Sequence, residues 1–396
     1  MTAVMKGLRI IEVAEHALVP VASAVLADWG AEVIKIEPLG RGDASRGLTS
    51  VKAGGMHVMH HHSNRGKRSL ALDLSVPESR EILYRLVETA DVFLTNKLPR
   101  VRAKLRIEVD DIRARNPNIV YVRGTGLGEH GPQADRGSYD LLAFWHRSGA
   151  SMATRSPEGQ IPFLPAPGFG DSLGAMTIAG GIMGALFHRE RAGEAPVVDV
   201  SLLATGMWAM SGAISVAIAD ENWKWPPALK NPLSEIYATG DGRWIALCCL
   251  QAGHYWPYLC EAIGRPELAE DPRFQDHESL LANAGEAAAI LTEVFAERTL
   301  EEWSRALEGF IGQWSPVQEA REVAADPQVD ANGYLQPCVT AEGDEVRLVA
   351  PPVQYNGQAP VPGRGPDYNE HGDEILGELG FDWDAVIDLK LRGVVA

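Results

Sequence analysis

The segment Leu8-Arg9-Ile10-Ile11-Glu12-Val13, followed by Val19 to Trp29 and then by Glu32-Val33-Ile34-Lys35-Ile36-Glu37, decides how this chain is read. The outer runs are short and rich in β-branched residues, as strands are. The middle run is apolar, and Gly30 closes it at the left-handed position that commonly follows a helix. Strand, helix and strand in succession predict two parallel strands joined by a helical crossover.

The pattern continues outward. Ser69 to Leu74 predicts a third strand. Pro77 to Ala90 predicts a helix, with Ile82, Leu83, Leu86 and Val87 at helical spacing and Pro in the first turn. Asp91 to Thr95, Ile119 to Arg123 and Val197 to Ser201 predict further strands. Asp171 to Arg189 and Leu202 to Ala219 predict Gly/Ala-rich helices. Alternation of this kind gives an α/β fold, a doubly wound Rossmann-like parallel sheet with helices on both faces. Helix glycines cost about 0.5–1 kcal/mol each relative to Ala, so both Gly/Ala-rich helices are expected to be deeply buried and closely packed.

Composition shifts at Glu221-Asn222-Trp223-Lys224-Trp225-Pro226-Pro227. Residues 1–220 are therefore expected to form the first part of a large domain, and 221–330 a smaller α+β domain. Ser234 to Thr239 and Arg243 to Leu247 there make a hairpin around Gly240-Asp241-Gly242. Helices are predicted at Tyr255 to Ile263, Glu286 to Ala296 and Leu300 to Leu307. The strand-rich and Pro-rich tail, 331–396, is expected to return to the large domain and to end in a helix at Gly372 to Leu379.

At 396 residues, 45% hydrophobic and 22% charged, the chain has the balance of a globular protein with a large core. Its four cysteines follow no paired framework, as expected of a reducing cytoplasm. No leader is read at Met1 to Gly7, and apolar stretches are broken before the roughly 20 residues of a membrane span. A net charge of −17 disfavours nucleic acid and anionic membranes as partners. Arg41, Arg46, Arg65, Lys67, Arg68, Lys97, Arg100, Arg102 and Lys104 nevertheless crowd the first hundred residues. They read either as scattered surface charge or as a site for a small polyanion.

Gly168-Phe169-Gly170-Asp171-Ser172 puts a carboxylate at the start of a long helix, after glycines that allow a ligand to approach. Two readings stand: a helix N-cap, or an ionised nucleophile whose neighbouring N–H groups hold an oxyanion. Three other motifs carry less. Gly126-Leu127-Gly128-Glu129-His130-Gly131 follows a strand, but Pro132 stands where a dinucleotide-binding helix should open. His57, His60, His61 and His62 lack a carboxylate or thiol at metal-ligand spacing, so no metal is expected and a loop is read there. Cys248-Cys249 reads as packed apolar residues.

Several segments in chain order resemble the class III CoA-transferase family, the CaiB/BaiF-like group of carnitine-CoA and formyl-CoA transferases. They are Trp29-Gly30-Ala31-Glu32-Val33-Ile34-Lys35-Ile36-Glu37-Pro38 with Gly42-Asp43; Asn64-Arg65-Gly66-Lys67-Arg68-Ser69 through Leu72-Asp73-Leu74; Ala90-Asp91-Val92 with Asn96; Asn116-Pro117-Asn118 with Gly131-Pro132; Tyr139-Asp140; Gly170-Asp171-Ser172; and Val198-Asp199-Val200-Ser201. The resemblance covers roughly the first 200 residues and thins to islands beyond. It implies that Asp171 is the catalytic nucleophile and that coenzyme A, brought as an acyl-CoA, is the co-substrate, with a carboxylic acid as acceptor. It places His16 and Ala17 near the thioester, Leu72 at the adenine, Asn96 and Lys97 along the CoA, Lys104 and Arg136 near phosphates, and Tyr139 and Asp140 beside them. It also implies an interlocked homodimer. Ala17 replaces the Gln of formyl-CoA transferases, Pro38-Leu39 a basic pair, and Cys248-Cys249-Leu250-Gln251 a glycine-rich loop. Tyr139 replaces the His of the related α-methylacyl-CoA racemases, and a phenol exchanges protons poorly at neutral pH. Racemisation and CoA binding without turnover are the alternatives to transfer.

Overall fold

Arg9–Val13 (β1) and Glu32–Pro38 (β2) are parallel neighbours, joined by the helix Leu18–Asp28 (α1). The computed structural model describes residues 3–48, 52–53, 56–156, 158–223, 230–341 and 343–396. Arg68–Leu72 (β3), Val92–Thr95 (β4), Val120–Thr125 (β5) and Val197–Ser201 (β6) complete a six-stranded, all-parallel sheet in the order β3-β2-β1-β4-β5-β6. Strand order reverses between β1 and β4, and ligands of such sheets bind beyond the carboxyl ends of the strands at that point.

Alternate residues of each strand face opposite ways and fill two cores. Ile10, Val33, Val92 and Val120 pack on α1 and on the 24-residue helix Phe169–Ala192. Ile11, Ile34, Phe93 and Tyr121 pack on the helix Pro77–Val87 and on two C-terminal helices, Gly372–Glu378 and Trp383–Leu391. The last of these follows the helix expected at Gly372 and was not foreseen. A short helix, Val58–Asn64 (α2), stands where the histidine run was expected to be a loop; His57 caps it, accepting from the N–H of His60. Helices between the strands are numbered here as Pro77–Val87 (α3), Pro99–Leu105 (α4) and Phe169–Ala192 (α5).

Three expectations about helices change. Leu202 to Ala219 is two helices, Leu202–Ala209 (α6) and Ser211–Ala219 (α7), bent by 72° where Met210 leaves helical geometry. Neither Gly/Ala-rich segment is deeply buried throughout: α5 buries one side and α7 buries no residue. Among the described residues α5 also has the length and hydropathy of a membrane span, although part of it is packed in the core.

The chain divides into two compact units, Met1–Trp223 with Gln328–Ala396, and Lys224–Pro327. Part of the compositional shift at Glu221–Pro227 lies outside the described residues. In the second unit Ile236–Ala238 (β7), Trp244–Leu247 (β8) and Trp314–Pro316 (β9) form an antiparallel sheet with β8 central. Helices around Trp256, Phe295 and Trp303 cover its core. In the first unit the tail adds the antiparallel pair Leu335–Val339 (β10) and Glu345–Val349 (β11).

Candidate active site

Charges placed inside strands shape the loop after β1. Glu12 lies in β1 and Lys35 in β2, both fully buried, and Lys67 precedes β3. Lys35 Nζ reaches Glu12 Oε1 at 2.6 Å and Asp43 Oδ2 at 2.7 Å; Lys67 Nζ reaches Glu12 Oε2 at 2.7 Å. Burial opposes every one of these charges. Even so, the two lysines hold the Glu12 carboxyl below its usual range and Lys35 holds that of Asp43 below its own. Burial dominates at Lys67 and brings its ammonium down to about 8. Lys35 also donates to the Ala14 carbonyl (3.0 Å), and Asp43 Oδ1 accepts the His16 N–H (3.1 Å).

The loop is thereby held open. His16 sits at φ 68°, a left-handed conformation that costs a non-glycine residue of order 1–3 kcal/mol and persists where the surroundings impose it. Asn96, just past β4, clamps the preceding residue from both sides: Oδ1 accepts the Glu15 N–H (3.2 Å) and Nδ2 donates to the Glu15 carbonyl (2.6 Å). The Glu15 carboxylate pairs with Arg41 and Lys97. Burial works against it, yet those partners take it down to about 2. The His16 ring meets Tyr139 edge-on at 5.4 Å between centroids.

α5 brings the carboxylate. Gly168, at φ 75°, precedes the helix, so Asp171 is its third residue and not its cap. A Cβ on Gly170 would lie 2.4 Å from Phe144, and one on Gly174 would lie 2.5 Å from Leu18. Glycine at those two positions lets the first turns of α5 press against both the Phe144 segment and α1. Burial raises the carboxyl of Asp140 above its usual range, against the N–H groups of Leu141, Gly170 and Gly168, which favour the anion; Asp140 Oδ1 accepts the Leu141 N–H at 2.7 Å.

Burial first, and then the nearby Asp140 charge, raise the Asp171 carboxyl from its ordinary 3.8 to about 7. The helix N-terminus was expected to keep it fully ionised. Loss of hydration outweighs that half-charge dipole.

A cavity of about 440 Å³ opens at the sheet's switch point, lined by Glu15, His16, Ala17, Asn96, Lys97, Tyr139 and Asp171 among others. The start of α1, at Ala17 and Leu18 on its wall, has no side-chain cap. A second cavity of about 300 Å³ holds Leu72 and Lys104; Arg41, Lys97 and Val101 line both. Arg136 lies apart, in a recess of about 200 Å³ whose Gly137 and Ser138 also border the main cavity. The geometry thus brings His16, Ala17, Asn96, Lys97, Tyr139 and Asp171 together and sets Leu72 and Lys104 alongside. Asp140 acts from behind the helix start, and Arg136 is at the edge.

The basic cluster divides between internal ion pairs and cavity walls. Arg46 pairs with Glu37, Arg65 with Asp28, Arg68 with Glu32 and Glu378, and Arg102 with Glu129. Most of these bases neutralise internal carboxylates; Arg41, Lys97 and Lys104 are the ones on cavity walls. His60 is also structural, buried between Ser45 and Asn64, and burial takes its pKa down to about 3. Glu15 and Asp43 were not singled out as site residues, and Arg41 was named only within the basic cluster. The one signal was charge in strands that an all-parallel sheet buries on both faces.

The family model for CoA-transferase family III matches residues 5–372. The chain belongs to that family. This family III CoA-transferase is 30% identical over 403 residues to the (R)-2-hydroxy-4-methylpentanoate CoA-transferase of Clostridioides difficile, with 99% of each chain covered. It is 31% identical over 388 residues to a probable fatty acyl-CoA transferase of Mycobacterium tuberculosis, covering 94% of this chain and 97% of that one. A CaiB/BaiF family protein from Brucella suis superposes with a TM-score of 0.83 at 26% identity, over 96% of this chain and 100% of that one. A crystal structure of the M. tuberculosis protein gives 0.80 at 29% identity, over 94% and 99%. CoA transfer is the chemistry of this family, with CoA as co-substrate.

Proposed function

We propose that the protein moves CoA from an acyl-CoA donor to a carboxylic acid acceptor through covalent intermediates on Asp171. The ionised carboxylate attacks the thioester carbonyl, forming a mixed anhydride and expelling CoA thiolate. The thiolate then attacks the aspartyl carbonyl, giving an aspartyl-CoA thioester and releasing the donor acid. The acceptor carboxylate attacks that thioester, and the returning thiolate carries off the acceptor as its CoA ester, restoring Asp171. Every bond made is matched by one broken, and no proton need be gained or lost.

The observation that carries this reading is a carboxylate raised to about 7, set in a cavity at the switch point of the sheet. A poorly hydrated anion of that basicity is a better nucleophile than an exposed aspartate and is still about half ionised at neutral pH. Uncapped N–H groups at the start of α1 line the same cavity and suit a developing oxyanion. The neighbouring cavity, with Leu72 and Lys104, suits the nucleotide end of CoA, while Arg41 and Lys97 suit its phosphates.

The protein is further proposed to act as a homodimer. Phe187 (66% exposed), Trp208 (80%) and Ile218 (82%), on α5 to α7, present an apolar surface that a second copy would cover.

Oxygen labelling tests the mechanism. With an ¹⁸O-carboxylate acceptor, one label should pass to Asp171 in a single turnover and to the released donor acid in the next. Label found only in the new thioester would refute it. Deuterium entering the α carbon without CoA exchange would indicate racemisation instead.

A further inference from the structure

Behind the start of α5 lies a third cavity, of about 270 Å³, that the CoA path does not use. Ala17 lines both it and the main cavity. Gly168, just before α5, and Ser172, in its first turn, line it too, on either side of Asp171 in sequence. Asp171 itself lines the main cavity, and Ala17, the smallest chiral side chain, stands on the walls of both.

Its walls are hydrocarbon: Val21 from α1, Val58 and Met59 from α2, Pro167 before α5, Leu348 and Val349 from β11. The cations among the described lining residues are already engaged or discharged. Arg347 pairs with Asp330. His62 lies within 3.4 Å of Arg65, and burial, then that positive charge, take its pKa down to about 4. A second carboxylate entering here would lose its hydration without gaining an unpaired cation.

We infer that this cavity holds the hydrocarbon of the acyl group carried by the thioester, so that the enzyme selects apolar monocarboxylic acids over short dicarboxylic acids. The inference rests on the transferase reading above. Selection acts through area removed from water, worth about fourfold in kcat/KM for each methylene buried. The resulting rise stops when the cavity is full.

The test is a donor series, from acetyl-CoA through butyryl-, hexanoyl- and octanoyl-CoA, set against succinyl- and glutaryl-CoA, with one common acceptor. Expected are a climb in kcat/KM of about fourfold per added methylene up to a maximum, and dicarboxylic donors at least about tenfold below monocarboxylic donors of equal length. Met59→Trp and Val349→Trp, filling the cavity from α2 and from β11, should each cut the ratio of hexanoyl to acetyl kcat/KM by about tenfold or more. That ratio is independent of how much enzyme is folded. Transfer that is indifferent to chain length, that prefers succinyl-CoA, or whose ratio survives both variants would overturn the assignment while leaving the transferase reading in place. No transfer from any donor would overturn both.

Discussion

Replacing Asp171 by Asn should abolish transfer and, at the same time, make the folded protein more stable at alkaline pH. The carboxyl is raised from 3.8 to about 7 by burial and by Asp140. Holding it as an anion therefore costs about 4 kcal/mol, at about 1.4 kcal/mol for each factor of ten. The side chain faces a cavity that admits water, and screening there brings the figure to about 2 kcal/mol. The sign follows from proton binding. Between about pH 4 and pH 7 the folded chain holds a proton that the unfolded chain has lost, so stability falls as pH rises through that window and is level above it. An amide of the same shape carries no such cost. By calorimetry the variant should melt roughly 2–4 °C above the wild type at pH 8, and by pH 5 the gap should shrink to about a third. A variant that melts at or below the wild type at pH 8, or a gap that does not change with pH, would show that the carboxylate is not held at a cost, and the reasoning about its nucleophilicity would fall.

Asp140→Asn removes the like charge beside Asp171, so the acid limb of kcat/KM against pH should move to lower pH; in the wild type kcat/KM should fall about tenfold per pH unit below 7. A limb that stays in place would remove Asp140 from the account. Glu12→Ala leaves Lys35 and Lys67 buried without their shared partner and should cost about 3–5 kcal/mol in urea unfolding; a loss under about 1 kcal/mol would contradict the role given to that network. Gly170→Ala drives a methyl group into Phe144 and should cost about 1–3 kcal/mol as well as activity. Gly180→Ala, in the same helix with nothing within 4 Å of the added carbon, should be neutral or stabilising by up to about 1 kcal/mol.

The parallel sheet was legible because its strands are bounded by glycines and by helices of clear period: β1, α1 and β2 lie within one residue of where the pattern puts them, and α3 starts at Pro77 as expected and ends at Val87, short of Ala90. Less was legible of the site. Asp171, Asn96 and Lys97 converge because strand order reverses between β1 and β4, a fact of topology that no local pattern carries. Sequence could place Asp171 before or inside a helix start, but its pKa depends on burial against α1 and on Asp140, thirty-one positions away. The basic residues misled for a related reason. Arg65 and Arg102 look like ligands in a list of charges, and their buried partners Asp28 and Glu129 are distant in sequence. Val58, Met59 and Val349, unremarked in the chain, line the third cavity.

The most direct measurement is a covalent trap. Wild-type protein incubated with an acyl-CoA and hydroxylamine, then digested and mapped by mass spectrometry, should carry a hydroxamate on Asp171 and on no other carboxylate, and should lose activity in step with its appearance. An unmodified Asp171 in enzyme that is turning over, or modification confined to a different residue, would contradict the account.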